Sequence, residues 1–194
     1  VLPRMQLSPA FSLTDQNNGR LTSEDLRGKF VLYTFMYTNC PAPCYNINET
    51  MQEVQSRLDE VELDGIEVSF VTISFDPDRD TAEVLRTYAK SINANTNRWS
   101  FATTTNKSLL KTIIGSGFET YYEDKGNGEF SFAPSFMLVD GWGIVRAEYR
   151  YQTEASDADR ILRHLGVLAE EVRNNTGSAK LAYEAAHLFL CYSE

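Results

Sequence analysis

Two stretches of the chain, 30–36 and 66–75, are apolar at most positions and rich in β-branched and aromatic residues. Such runs, bounded by turn residues, predict strands buried in the centre of a sheet. Shorter runs of the same character follow at 99–102, 134–140 and 144–151. A Gly-Trp-Gly turn separates the last two, which predicts that they pair.

Apolar residues in the intervening segments recur at steps of three and four, which is the spacing of one face of a helix. This pattern predicts helices over about 45–60, from 81 to about 92, over 108–114 and over about 156–173. A last helical stretch is predicted over 179–192, where much of the helix surface is apolar.

Two further segments have the pattern of β-hairpins, an amino-terminal one around the turn 16–19 and an insertion near residues 118–132 with a glycine-rich centre. The order strand, helix, strand, helix, strand-turn-strand and helix is that of the thioredoxin fold. We therefore predict an α/β, thioredoxin-like fold, with a central mixed sheet flanked by helices. Residues 1–173 are predicted to form this domain, and 174–194 a carboxyl-terminal helical extension.

Composition narrows the class of function. The 194 residues suffice for one domain with a full core, and the net charge of −9 argues against a nucleic-acid surface and against docking on anionic lipids. No run of eighteen apolar residues occurs, and Val1 does not begin a signal peptide. The simplest interpretation is a mature or excised soluble fragment, with any membrane anchor outside it.

Cys40 and Cys44 form the most informative motif of the chain. They follow the first predicted central strand, and Pro41 and Pro43 favour a loop that leads into a helix. The amino end of a helix carries unpaired N–H groups and a partial positive charge, which favour thiolate over thiol. If the helix begins by Cys40, the two Cα atoms lie about 6 Å apart. That distance suits either a disulfide or two ligands of one soft metal ion such as Cu(I).

The remaining polar and sulfur-containing candidates have ordinary structural interpretations. Asp80, just before Thr81, is predicted to cap a helix, and Asp76-Pro77 to start a turn. The others are predicted mainly to pack in helices or strands: His164, His187, Cys191, Met36 and Met137. His187 and Cys191 are four residues apart, so on a helix they would share a face and could bind one metal ion.

Several motifs together resemble the Sco/SenC proteins of cytochrome c oxidase assembly, over about 11–165. The Cys-x-x-x-Cys after a strand, joined to an Asp-Pro-x-x-Asp-Thr loop, is specific in combination. The segments that carry the resemblance are Phe11-x-Leu13-x-Asp15 with Gly19, Leu26-Arg-Gly-Lys29, Phe35 to Cys44, Ile73 to Thr81, and the turn from Asp140 to Gly143 with the strand after it.

The resemblance implies a thioredoxin-like protein of the cell envelope, on the periplasmic or extracytoplasmic side and usually tethered to the membrane. It implies that the protein delivers copper to the dinuclear copper centre of an oxidase subunit or to another envelope cuproprotein, or that it reduces that partner's cysteines. By position, Cys40 and Cys44 are the copper- or disulfide-forming pair, Asp76 and Asp80 lie near them, and Pro134 faces the thiols.

One departure from the family pattern changes the expected chemistry. The family's third copper ligand is a histidine, whereas this chain has Phe132 at that position and no histidine before His164. Cu(I) tolerates two thiolates alone, but Cu(II) prefers additional nitrogen or oxygen ligands. We therefore expect Cu(I) binding through Cys40 and Cys44, with weak Cu(II) binding, and Phe132 as an apolar wall beside the sulfurs.

The missing histidine keeps a second function open, that of a thiol–disulfide oxidoreductase without copper, with Cys40 attacking and Cys44 resolving. Whether the protein is an enzyme depends on which of the two functions holds. An adaptor that only docks on assembly partners is a further alternative. A peroxidase of the peroxiredoxin type is disfavoured, because the spacing of Thr38 and Cys40 does not match.

Overall fold

The computed structural model describes residues 1–41, 44–150 and 157–175, with only the backbone for 44–46. The strands are β1 (Gln6–Leu7), β2 (Ser12–Asp15), β3 (Arg20–Thr22), β4 (Phe30–Met36), β5 (Val68–Ser74), β6 (Trp99–Thr103), β7 (Tyr122–Asp124), β8 (Phe130–Phe132), β9 (Ser135–Val139) and β10 (Ile144–Arg150). The helices are α1 (Cys44–Ser56), α2 (Ala82–Ser91), α3 (Lys107–Leu110), which continues as a π-helical segment over Lys111–Gly117, and α4 (Ala158–Asn174).

Within the described residues, eight strands form one mixed sheet in the order β1-β10-β9-β4-β5-β6-β2-β3. The central strands β4, β5 and β6 are parallel, and the pairing Met36↔Ser74 aligns the carboxyl ends of β4 and β5. The flanking pairs are antiparallel. β7 and β8 form a separate two-stranded sheet. The loops after β4 and β5 therefore start side by side at one edge of the sheet.

The central strands are buried because both faces of the sheet are covered. Phe30 and Leu32 pack with α1, α2 and α4 on one face. Val31, Tyr33 and Phe35 pack on the other face with α3, the amino-terminal hairpin and the β7–β8 hairpin. Alternate side chains of a strand point to opposite faces, so β4 belongs to two cores and is rigidly held.

The predicted sheet, both hairpins, the pairing of β9 with β10 and the helices within the described residues are confirmed. The short edge strand β1 was not predicted, because its two residues give no alternation to recognise. The predicted helix over 179–192 and most of the predicted extension 174–194 lie outside the described residues, so that division of the chain remains a prediction. Within the described part of the chain, no helix is both long and apolar enough to cross a membrane.

Candidate functional site

The loop after β4 carries Cys40 to the edge of the sheet. Its backbone N–H donates to Tyr37 O at 3.2 Å, and the residue is only 7% exposed. The sulfur is disulfide-bonded and lies 3.2 Å from Pro41 O. The sulfur that it joins lies outside the described side chains, so that the pairing of Cys40 with Cys44 stays a prediction.

α1 begins at Cys44, which agrees with the helix predicted over about 45–60, and the condition that the helix begins by Cys40 is not met. The residue before a proline is disfavoured in the helical region, and Pro41 and Pro43 therefore delay the helix. Cys44, rather than Cys40, holds the position at the helix start. This removes the reason for choosing Cys40 as the attacking sulfur, and it removes the 6 Å estimate, which assumed helical spacing.

Asp80 does not cap a helix, which corrects the sequence prediction. Thr81 is the cap of α2, and its side chain accepts from Val84 N at 3.3 Å. Asp80 is fully buried and accepts hydrogen bonds from Thr38 N at 2.9 Å, from Thr38 Oγ1 and from Ser74 Oγ. The carboxylate therefore joins the end of β5 to the loop that carries Cys40.

Asp76 starts the predicted turn, since its carbonyl accepts from Arg79 N at 3.2 Å and from Asp80 N at 2.9 Å. Its carboxylate is ion-paired with Arg79. Burial raises the pKa of the Asp76 carboxyl, and the Arg79 guanidinium opposes that rise. Arg79 also donates to Gly128 O at 2.5 Å and lies 5.7 Å from the centre of the Tyr37 ring. It thereby connects this turn to the β7–β8 hairpin and to the cysteine loop.

The hairpin covers the start of the cysteine loop with aromatic side chains. Phe132 is half-buried, and its ring centre lies 5.2 Å from that of Phe75 and 6.2 Å from that of Tyr37. Phe130 lies 4.9 Å from Tyr37, and Tyr122 stacks on Phe75 at 4.7 Å. Burial raises the pKa of Tyr122 to about 12. Phe132 thus belongs to an apolar cluster that packs against the core containing Cys40.

The other sequence candidates lie in different parts of the chain, and of those that the structure describes only Met36, the last residue of β4, and Pro134, directly before the antiparallel β9, are beside the carboxyl end of β4. His164 lies on α4, where its Nδ1 is 2.7 Å from Tyr149 Oη of β10, and burial lowers the pKa of its imidazole. Met36 and Met137 are core residues, as predicted. His187 and Cys191 lie outside the described residues. Pro134 is half-buried directly before β9.

The donor set within the described side chains limits how a metal could be held. None of these side chains form a group of three or more His, Cys, Asp or Glu that could bind a metal ion. The Asp80 oxygens already accept three hydrogen bonds, and Asp76 is paired with Arg79. A soft ion held by sulfur fits this edge better than a hard ion that needs several oxygens.

Sequence reasoning missed Thr38, Ser74 and Arg79. Thr38 and Ser74 are hydroxyl residues at strand ends, and nothing in their spacing shows that one carboxylate binds both. Arg79 sits within the Asp-Pro-x-x-Asp-Thr motif, but its partner Gly128 is 49 positions away. Only the packing of the hairpin reveals that contact.

The fold and the cysteine loop define a thioredoxin-like protein with a Cys-x-x-x-Cys segment at the carboxyl end of its first central strand. A family model described as SCO1/SenC matches residues 2–170. A SCO2-like protein of Rickettsia typhi is 37% identical over 165 residues, which make up 82% of this chain and 78% of that protein. The chain belongs to the SCO1/SenC family, as the resemblance of its motifs predicted.

Solved structures agree with this assignment. A SCO1/SenC family lipoprotein from Bacillus anthracis str. Ames matches with a TM-score of 0.76 at 26% identity, over 84% of this chain and 95% of that one. BsSco, a member of the Sco family of cytochrome c oxidase assembly proteins, gives 0.75 at 21% identity, over 88% and 98%. Copper-bound ScoI of Arabidopsis thaliana gives 0.70 at 22% identity, over 86% and 98%. These likenesses confirm the predicted thioredoxin-like fold.

Proposed function

We propose that this protein binds Cu(I) through Cys40 and Cys44 and passes it to the copper-centre subunit of cytochrome c oxidase or to another envelope cuproprotein. The observation that carries the proposal is the position of Cys40, buried at the carboxyl end of β4 in a Cys-x-x-x-Cys loop. Membership of the SCO1/SenC family supports it, as do BsSco, from a family of oxidase assembly proteins, and the copper-bound ScoI.

The chemistry of the donor set favours Cu(I) over Cu(II). Cu(I) is soft and is satisfied by two thiolates, whereas Cu(II) prefers a larger set that includes imidazole or oxygen. Binding requires the reduced pair, and each thiol loses its proton as the metal enters. Transfer then proceeds by ligand exchange, in which acceptor thiolates replace Cys40 and Cys44 one at a time. The copper keeps its oxidation state throughout.

Titration of the reduced protein with Cu(I), in competition with a chromophoric Cu(I) chelator, tests the proposal. We expect one Cu(I) per chain in the wild type and none in the Cys40→Ser/Cys44→Ser double variant. Cys191→Ser is the matched control, because it removes the third thiol and should keep the full stoichiometry. The same stoichiometry in the double variant as in the wild type would refute copper binding by this pair.

The second candidate is a thiol–disulfide oxidoreductase that keeps the acceptor's cysteines reduced. The disulfide at Cys40 favours it, together with the sequence, which has no histidine before His164. One thiolate of the pair attacks the acceptor's disulfide, and the other resolves the mixed disulfide. Two electrons pass to the acceptor, whose sulfurs leave as thiols, and a thiol reductant must then restore the pair.

The reduction potential of the pair separates the two candidates. A potential near those of known thiol reductases, with turnover on a disulfide peptide and no Cu(I) bound, is expected for the oxidoreductase. Trapping with single Cys→Ser variants then identifies the attacking sulfur, which we expect to be Cys44 because it begins α1. A potential far below that of the reductases contradicts the redox function and indicates a structural disulfide.

We also propose that the protein works at the extracytoplasmic face of the membrane, tethered outside the sequence described. The match to a SCO1/SenC family lipoprotein supports this location. A disulfide at Cys40 is consistent with it, because disulfides persist in oxidising compartments. Fractionation of cells that express the full-length protein tests the location, and recovery from the cytosol alone would contradict it.

A further inference from the structure

We propose that Asp80 is a positioning residue for the cysteine pair, acting through Thr38. The carboxylate holds the loop that carries Cys40, so that the two sulfurs stay close together when they are reduced. The inference rests on the proposed function only for the role of the cysteine pair, which is copper binding or disulfide exchange. Its main observable, the reduction potential, exists whether or not copper binds.

The burial of Asp80 is the first observation. It is 0% exposed, and no ion pair among the described residues includes it. A carboxylate without a cation is costly to bury unless hydrogen bonds replace its water. Asp80 meets this condition with three donors, two of them from Thr38 and one from Ser74. Two of the three hydrogen bonds that stabilise this carboxylate therefore depend on the cysteine loop being in place.

The rigidity of the segment that carries Asp80 is the second observation. Asp80 N donates to Asp76 O at 2.9 Å, and Thr81 N donates to Arg79 O at 3.0 Å. Ser74 Oγ accepts from Asp76 N at 3.1 Å while it donates to Asp80. Backbone hydrogen bonds thus hold the turn in shape, and the Ser74 side chain holds it to the end of β5. Asp80 therefore presents a fixed acceptor to Thr38.

The position of Thr38 is the third observation. It lies two residues before Cys40 and two residues after the last residue of β4, where the sheet no longer holds the chain. Pro41 and Pro43 lack the N–H groups that could add hydrogen bonds on the other side. The Thr38–Asp80 hydrogen bonds therefore tie this loop to the turn after β5, one residue closer to Cys40 than the ring contact of Tyr37 with Phe75.

The consequence differs between the two redox states. In the oxidised state the disulfide itself holds the loop, so losing one hydrogen bond changes little. In the reduced state a looser loop lowers the effective concentration of one sulfur at the other. A hydrogen bond to a charged group is worth about an order of magnitude in an equilibrium constant. Part of that factor should appear in disulfide formation and in Cu(I) affinity, since both need the sulfurs together.

Thr38→Val is the main test, because it removes the hydroxyl donor and keeps the side-chain shape and the backbone N–H. We expect disulfide formation to weaken about three- to tenfold, which for a two-electron couple raises the reduction potential by about 15–30 mV. Thr38→Ser keeps the hydroxyl and should restore the wild-type potential. Asp80→Asn, which places an amide against the Thr38 donors, should act in the same direction as Thr38→Val.

Thr34→Val is the matched control. Thr34 is a buried threonine of β4 whose Oγ1 donates to Ser135 O at 3.1 Å and not to a group of the cysteine loop. It should lose stability to urea but keep the wild-type potential. The proposal is overturned if Thr38→Val and Asp80→Asn shift the potential no more than Thr34→Val does. Wild-type protein that binds no Cu(I) refutes the copper function instead and leaves the shift in potential to decide on Asp80.

Discussion

Arg146 of β10 provides the sharpest test of how the fold is stabilised. It is 3% exposed, and its guanidinium lies 2.9 Å from Asp140 and 2.5 Å from Glu171 of α4. It also donates to Leu2 O at 2.6 Å and to Pro3 O at 2.9 Å. One buried cation thus joins the start of the chain, the turn after β9 and α4.

Replacing Arg146 by alanine leaves Asp140 and Glu171 buried without their cation. Breaking a buried ion pair by removing one partner costs about 3–5 kcal/mol. For a protein of this size about 1 kcal/mol shifts Tm by about 2–4 °C. We therefore expect Arg146→Ala to lose about 3–5 kcal/mol of the free energy of unfolding and about 10 °C in Tm.

Urea unfolding followed by tryptophan fluorescence measures this loss, since Trp99 is buried in the core. Arg20→Ala is the control, because Arg20 is exposed on the edge strand β3, and its loss should be below about 0.5 kcal/mol. Replacing Arg146, Asp140 and Glu171 together by Met, Asn and Gln should recover much of the loss. The reasoning is refuted if Arg146→Ala costs no more than Arg20→Ala.

Two further substitutions test the site and a buried histidine. Phe132→His should raise Cu(II) affinity at least about tenfold, measured by competition titration and electron paramagnetic resonance, while Cys40 and Cys44 still bind one Cu(I); no gain would mean that this position does not face the sulfurs. The pKa of His164 is lowered mainly by burial, so the stability it contributes is present above its unfolded pKa of about 6.5 and is lost as pH falls through the folded pKa. His164→Gln, which removes the ionisable partner of Tyr149, should lose less stability than the wild type between pH 7 and pH 5 in urea unfolding. An unchanged pH dependence would contradict the assignment to His164.

The sheet could be predicted from sequence because its central strands are buried on both faces. The continuous apolar runs of β4 and β5 are typical of strands buried on both faces. The helix between these two strands in sequence indicates that they are parallel. β1 could not be predicted, since only its register with Ile144 and Val145 defines it. The long strands could thus be predicted from local sequence patterns, whereas the short strand β1 is defined only by its pairing with β10.

The site was only partly accessible to sequence reasoning. The motif showed where Cys40 would lie, and the helix predicted over about 45–60 agrees with the start of α1 at Cys44, after the two prolines. Asp80 was misread as a cap, because a carboxylate before a helix has the same local pattern whether it binds its own helix or another loop. The difference depends on Thr38, 42 positions away, which only the packing of the two loops brings into reach.

The Arg146 cluster also has a geometric consequence for any attachment of the protein. It holds Leu2 beside the last turns of α4, where Leu2 packs against the core that contains Phe30, the first residue of β4. The seven residues of β4 separate this pole from the cysteine loop by about 20 Å. A surface, carrier or fusion partner joined at Val1 would therefore leave the cysteine loop on the far pole, where the exposed Asn39 and Pro41 beside the buried Cys40 face a second macromolecule.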